Sequence, residues 1–219
     1  MLQCEGGDVD ANGKVREPRI VPLRRPKRPG KAPKRDRESW LDQARQVLIA
    51  EGVERVRVDP LAKLLGVTTG SFYHHFKNRQ ELLDGLLDHW QTKNSGPMFS
   101  AVKTAGDDPN RQIDALLQIW MNESQYDPKY DSAVRAWAHG DAGVADIVRQ
   151  VDDRRVVLLK GIFTRYGYDE DRAFIRARIT YFQQVGYQAM EVQESAAERQ
   201  RFFSLYREAL VGACPTATP

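Results

Sequence analysis

Apolar residues recur every three or four positions along most of the chain from Trp40 to Leu210. No segment stands out as a strand by the period of two that marks a half-buried one. The pattern predicts helices alone. A first helix runs from Glu38-Ser39 to about Ala50, with Trp40, Leu41, Ala44, Val47 and Leu48 on one face and Glu51-Gly52 at its end. A second, short helix carries Leu61, Ala62 and Leu65, with Asp59 as its cap and Pro60 in the first position. A longer helix from Arg79 to about Lys93 buries Leu82, Leu83, Leu86, Leu87 and Trp90. Asn94-Ser95-Gly96-Pro97 is expected to break it, and Phe99 to Thr104 to form a short helix beyond. Further helices are expected from Pro109 to about Gln125, from Lys129 to His139, from the Asp141 cap to about Tyr166, and over 169–193 and 196–211.

The stretch from Asp59 to Arg79 has the layout of two helices joined by a tight turn. Gly66 can take a left-handed conformation at a helix end. Val67 points back as a plug, and Thr68 and Thr69 can cap the next helix. Phe72 and Phe76, four apart, face inward. Gly70 and His74 fall on the opposite side, flanked by Ser71 and Tyr73. That face carries hydroxyl and imidazole groups, which can reach base edges and phosphates. No carboxylate occurs from Thr68 through Asn78, and Lys77 and Arg79 follow at once. An ordinary helical hairpin in a core is the plain alternative.

The run LAKLLGVTTGSFYHHFKNRQELLDGLL resembles the signature of TetR-like transcriptional regulators. The family pattern is met by Leu61-Ala62, Gly66-Val67, Tyr73-His74-His75-Phe76, Arg79 and Leu82-Leu83, within a match from roughly Trp40 to Trp90. The resemblance implies an all-α fold: an N-terminal three-helix helix-turn-helix DNA-binding domain plus a C-terminal helical ligand-binding and dimerisation domain. It implies that Tyr73, Lys77 and Arg79 hold phosphates, that Thr68, Thr69, Ser71 and His74 face bases, and that His75 contacts the backbone. Arg79 stands where the family usually has Lys, Asp59-Pro60 where it often has polar or basic residues, and Gly70 removes a side chain from the reading face. The expected organisation is a basic arm over 1–36, the DNA-binding domain over 37–80, the regulatory domain over 81–213 and a tail over 214–219.

The last two expected helices carry much apolar surface. Phe174, Ala177, Tyr181, Val185, Ala189 and Val192 line one side of the first, with Gly186 allowing close approach. Phe202, Phe203, Leu205, Tyr206, Ala209 and Leu210 broaden the second. A second copy covers such a pair best, as a four-helix bundle, although burial inside one chain is the alternative. A homodimer through 169–193 and 196–211 would present two reading heads to palindromic double-stranded operator DNA. Trp90, Trp120, Met121, Trp137 and Tyr181 are candidates to line a pocket for a small-molecule effector, with Phe99, Tyr126, Tyr130 and Tyr187 beside them. His139, Gln118, Asn122 and Gln184 are possible orienting groups. A plain aromatic core is the competing explanation.

Charge adds an arm to this picture. Residues 1–37 hold 11 Lys or Arg against 5 Asp or Glu, while the whole chain is only +3, so the remainder is mildly acidic. Five prolines, at 18, 22, 26, 29 and 33, punctuate residues 1–36, and apolar periodicity is nearly absent. The segment is expected to be disordered, a flexible basic arm for phosphates or a minor groove, or a solubilising tail. A rival function is therefore a ligand-independent architectural or protein-interaction module whose arm dominates DNA binding. Two cysteines, Cys4 and Cys214, make no disulfide framework and fit a reducing cytoplasm. No run of about 18 apolar residues suggests a membrane span. His74-His75 point apart on a helix, His89 and His139 are isolated, and Asp107-Asp108 and Asp152-Asp153 look like loop or surface pairs. No enzyme, cofactor or metal is expected.

Overall fold

A computed structural model of the protein describes residues 36–121 and 125–212. Among these the chain forms α1 (Arg37–Glu51), a 3-10 turn (Val53–Arg55), α2 (Val58–Leu65), α3 (Thr69–Phe72), α4 (Arg79–Thr104), α5 (Pro109–Met121), α6 (Pro128–Ala138), α7 (Ala142–Arg165), α8 (Glu170–Ala189) and α9 (Ala196–Val211). The fold is all-α, with no strand among the described residues. All of them fall within one contact unit, Pro33–Pro219. Residues 1–35 of the expected basic arm, residues 122–124 with Asn122, and the last seven residues lie outside the described residues.

Caps account for most helix starts. The side chains of Asp36, Asn78, Asp127, Asp141, Asp169 and Ser195 each accept a bond from the backbone N–H three residues on. Ser195 and Glu198 complete a reciprocal box at α9. One expected cap differs: α2 begins at Val58, so Asp59 lies in its first turn rather than before it. Asp152 and Asp153 lie within α7 rather than in a loop; Asp153 is on the surface as expected, and Asp152 is half-buried.

The largest departure is α4, which runs unbroken for 26 residues through Pro97. Interior proline removes a helical hydrogen bond and usually kinks or breaks a helix. Here tertiary contacts hold the second half. Asn94 donates to the Asp127 carbonyl at 2.8 Å and accepts from the Asp127 N–H at 3.2 Å. Met98 and Val102, beyond the proline, are buried.

Two apolar clusters share α4 and α7. The first joins Trp40, Leu61, Phe72, Phe76 and Leu82–Trp90 to Tyr130, Val134 and Trp137 of α6 and to Val144–Val151 of α7. The second gathers Met98, α5, the second half of α7, Ala177 and Tyr181 of α8, and Leu210 of α9. The helix that starts beside the helix-turn-helix thus ends in the other cluster.

Candidate functional site

The reading head is built on a helix end. Gly66 has φ 67°, and Val67 N–H reaches back to the Ala62 carbonyl at 3.0 Å. This left-handed cap turns the chain sharply. Phe72 is fully buried, stacks on Phe76 at 5.2 Å and meets Trp40 edge-on at 5.3 Å. The expected continuous second helix is shorter than its pattern. α3 stops at Phe72, and Tyr73–His75 follow as turns. Thr69, Gly70 and Ser71 are weak helix formers, which accounts for the short run. Thr68 occupies the cap position, but its hydroxyl accepts no capping bond.

With the phenyl rings anchored inward, Thr68, Thr69, Gly70, Tyr73, His74 and Lys77 are exposed, Tyr73 at 63%. Ser71 and His75 are half-buried. Arg79 is placed differently from a free phosphate ligand. Its Nε donates to the Val56 carbonyl at 2.6 Å and its Nη2 to Val53 at 2.7 Å, so the guanidinium braces the 3-10 turn. At the start of α4, Glu81 accepts from the Lys77 N–H at 2.7 Å, which fixes the backbone beside the reading face.

α6 ties the reading head to the remaining helices. Arg45 of α1 pairs with Asp127 at 2.6 Å, and the Tyr130 hydroxyl donates to the Leu86 carbonyl at 2.7 Å. Beyond them lies a buried polar network that the sequence did not reveal. Asp131 accepts from Trp90 Nε1 at 3.0 Å, Arg155 Nη1 at 3.1 Å and Arg135 Nε at 2.9 Å. Arg135 also grips both oxygens of Asp152, and the Tyr181 hydroxyl donates to Asp152 at 2.6 Å. Burial pushes the Asp131 carboxyl upward, but the Arg155 and Arg135 guanidiniums outweigh it and hold the group below its ordinary value. The i, i+4 spacing of Asp131 and Arg135 was the one local signal of this network.

The five expected pocket residues do not converge. Trp120 and Met121 line a cavity between α5, α8 and α9. Trp90 and Trp137 are packed in the first apolar cluster, and the Tyr181 hydroxyl is committed to the network. Of the orienting candidates, Gln184 lines the cavity, whereas Gln118 and His139 are exposed. The cavity itself is about 60 Å³, far below the usual range for a drug-sized ligand.

His89 is not isolated, because its Nε2 lies 3.4 Å from Glu38 Oε1. Ligand-type atoms of Glu38, Asp42 and His89 fall within 4.8 Å of one another. Both acids are exposed, and the buried Nδ1 of His89 has no acceptor to orient the ring, so the trio lacks the support of a built metal centre. No helix among the described residues is long and apolar enough to cross a membrane.

Residues 41–86 match the family model of bacterial regulatory proteins, tetR family. A stretch of 89 residues is 38% identical to the transposon Tn10 TetC protein of Escherichia coli, covering 41% of this chain and 43% of that one. A stretch of 52 residues is 38% identical to the HTH-type transcriptional regulator TtgR of Pseudomonas putida, covering 24% and 25%. The chain therefore spans less than half the length of these relatives. A solved transcriptional regulator from Rhodococcus sp. Rha1 shares the fold with a TM-score of 0.55 and 21% identity, over 81% of this chain and 90% of that one. The match to the tetR-family model is confined to residues 41–86, and the likeness to the solved structure is one of all-helical fold.

Proposed function

We propose that the protein is a sequence-specific DNA-binding transcriptional regulator. It acts as a homodimeric repressor that leaves a palindromic operator when a small molecule binds. The observation that carries this reading is the exposed face of Thr68, Thr69, Tyr73, His74 and Lys77, held outward by the buried Phe72–Phe76 pair within the matched domain. Tyr73 and Lys77 hold phosphates, and Thr68, Thr69, Ser71 and His74 face bases, with His75 near the backbone. Arg79 serves by bracing the turn beneath them.

Support for a dimer comes from a bare apolar stripe. Ile175, Ile179 and Phe182 of α8 are each at least half exposed, and Leu205 and Tyr206 of α9 are also exposed. The stripe is displaced from the side the residue pattern favours, because Ala177 and Tyr181 turn into the chain's own core. A second copy of the α8–α9 pair would cover it.

Release follows from connectivity. The cavity's helix α8 also carries Tyr181, which joins the network that ends on Trp90 of α4. A ligand that favours one position of α8 would bias α4, and with it the spacing of two reading heads. The test is selection of bound duplexes from a random pool. A palindromic consensus whose binding depends on His74 supports the reading. Binding without sequence preference that disappears on deletion of residues 1–36 contradicts it.

A further inference from the structure

We propose that the cavity between α5, α8 and α9 takes a neutral, mainly apolar molecule with a carbonyl-type acceptor, which the Gln184 amide reads. This names the effector class for the regulator reading above and rests on that reading for its biological meaning. Leu117, Trp120, Met121, Phe203 and Leu210 supply apolar wall. Gln184 projects from α8 into the same lining, is only 7% exposed, and its buried Nε2 has no hydrogen-bond partner. An unpaired amide donor in an apolar wall is costly to the empty protein, and an acceptor that reaches it removes that cost. One turn earlier on α8, Thr180 is fully buried and its hydroxyl is also unpartnered, so the row of unsatisfied groups runs on along the helix.

Charge balance selects a neutral acceptor over a carboxylate. Tyr181, three residues before Gln184, anchors the network in which Arg135 and Arg155 are matched by Asp131 and Asp152. In that set two guanidiniums already face two carboxylates, so a buried anion beside it would add an unmatched charge, even though the Arg155 Nη2 keeps an unused donor. At the cavity's edge Glu194 and Arg199 likewise offer one charge of each sign. The volume of about 60 Å³ admits the acceptor and a few carbons, and the rest of the molecule lies toward Tyr187, Gln188 and Tyr206 at the mouth.

Three probes of similar size separate the chemistries: acetophenone, ethylbenzene and benzoate. Binding to the full chain without DNA is read by calorimetry and tryptophan fluorescence, since Trp120 lines the cavity. Acetophenone is expected to bind at least about tenfold more tightly than the other two, the discrimination that one satisfied buried donor supports. Gln184→Leu should bring acetophenone and ethylbenzene within about twofold of each other, with an unchanged helical spectrum and retained ethylbenzene binding. Equal affinities in the unsubstituted protein, tighter benzoate, no binding by any probe, or a ketone preference that survives Gln184→Leu would overturn the proposal. Operator release is scored separately by gel shift. Ketone binding without release upholds the cavity chemistry and defeats the effector reading. Release by a molecule indifferent to Gln184→Leu does the reverse.

Discussion

Arg155 of α7 donates to Asp131 of α6 at 3.1 Å, with the two side chains 1% and 6% exposed. Trp90 of α4 donates to the same carboxylate oxygen. One acid therefore joins the helix that follows the reading head to the helices that lead toward the cavity. A buried pair of this kind gains little over an apolar substitute, but breaking it strands a charge.

Asp131→Ala is accordingly expected to cost about 3–5 kcal/mol. It leaves Arg155 buried beside an indole N–H without its acceptor. Urea unfolding measures the change, and a loss under about 1 kcal/mol would place the pair among surface-like interactions.

The pH dependence has two parts with the same sign. Asp131 is held below its unfolded value, so its stabilisation is complete above about pH 4 and is lost as pH falls from there through the lower folded value. Burial lowers the pKa of His89, and Glu38 and Asp42 only partly oppose it. Protonation therefore favours the unfolded chain, and stability declines as pH falls from about 6.5 toward the lower folded value. Melting temperatures of His89→Gln should be flatter than those of the unsubstituted protein just below pH 6.5, while the drop below about pH 4 remains. Parallel curves across both ranges would remove His89 from the account.

Gly70 offers an unusually clean probe of the reading face. A Cβ there would meet only Thr68 Oγ1, at an ordinary 3.7 Å. Gly70→Ala should stabilise the fold by about 0.5–1 kcal/mol. It also adds a methyl that can lie against a thymine methyl. Selected operator sequences should shift toward A·T at one position in each half-site. An unchanged selection would mean that this residue does not face the groove.

For the α8 stripe, Ile179→Glu places a charge among Ile175 and Phe182 on the exposed face. Sedimentation should show dimers for the unsubstituted protein and monomers for the variant, with helical content retained. A variant that still sediments as a dimer would move the interface elsewhere.

Much of this architecture is written locally. Asp141, Asp169 and Ser195 mark their helices because a cap needs one side chain and the backbone three residues away. Gly66 marks the turn because its φ of 67° suits glycine. Phe72 and Phe76 give the reading head its orientation by spacing alone. Information carried across the fold was not legible. Asn94 reads as a breaker until its amide meets the Asp127 backbone, 33 residues away. Arg79 was legible as a basic residue beside the reading face, but its bonds to the Val53 and Val56 carbonyls were not. On α8, apolar residues occur nearly all round, so periodicity cannot say whether Tyr181 or Ile179 faces the chain's own core. Gln184 was visible as a polar residue, but its unpaired amide follows only from what surrounds it.

The most direct test compares Tyr73→Ala and His74→Ala in DNA binding, on a selected operator and on random duplex at fixed salt. Both side chains are exposed, so both variants should keep their fold. Tyr73→Ala should weaken binding to both DNAs by a similar factor, since a phosphate contact carries no sequence information, whereas His74→Ala should lower the preference for operator over random DNA. If neither variant changes binding, and removal of residues 1–36 abolishes it, the reading head is not the DNA-binding surface.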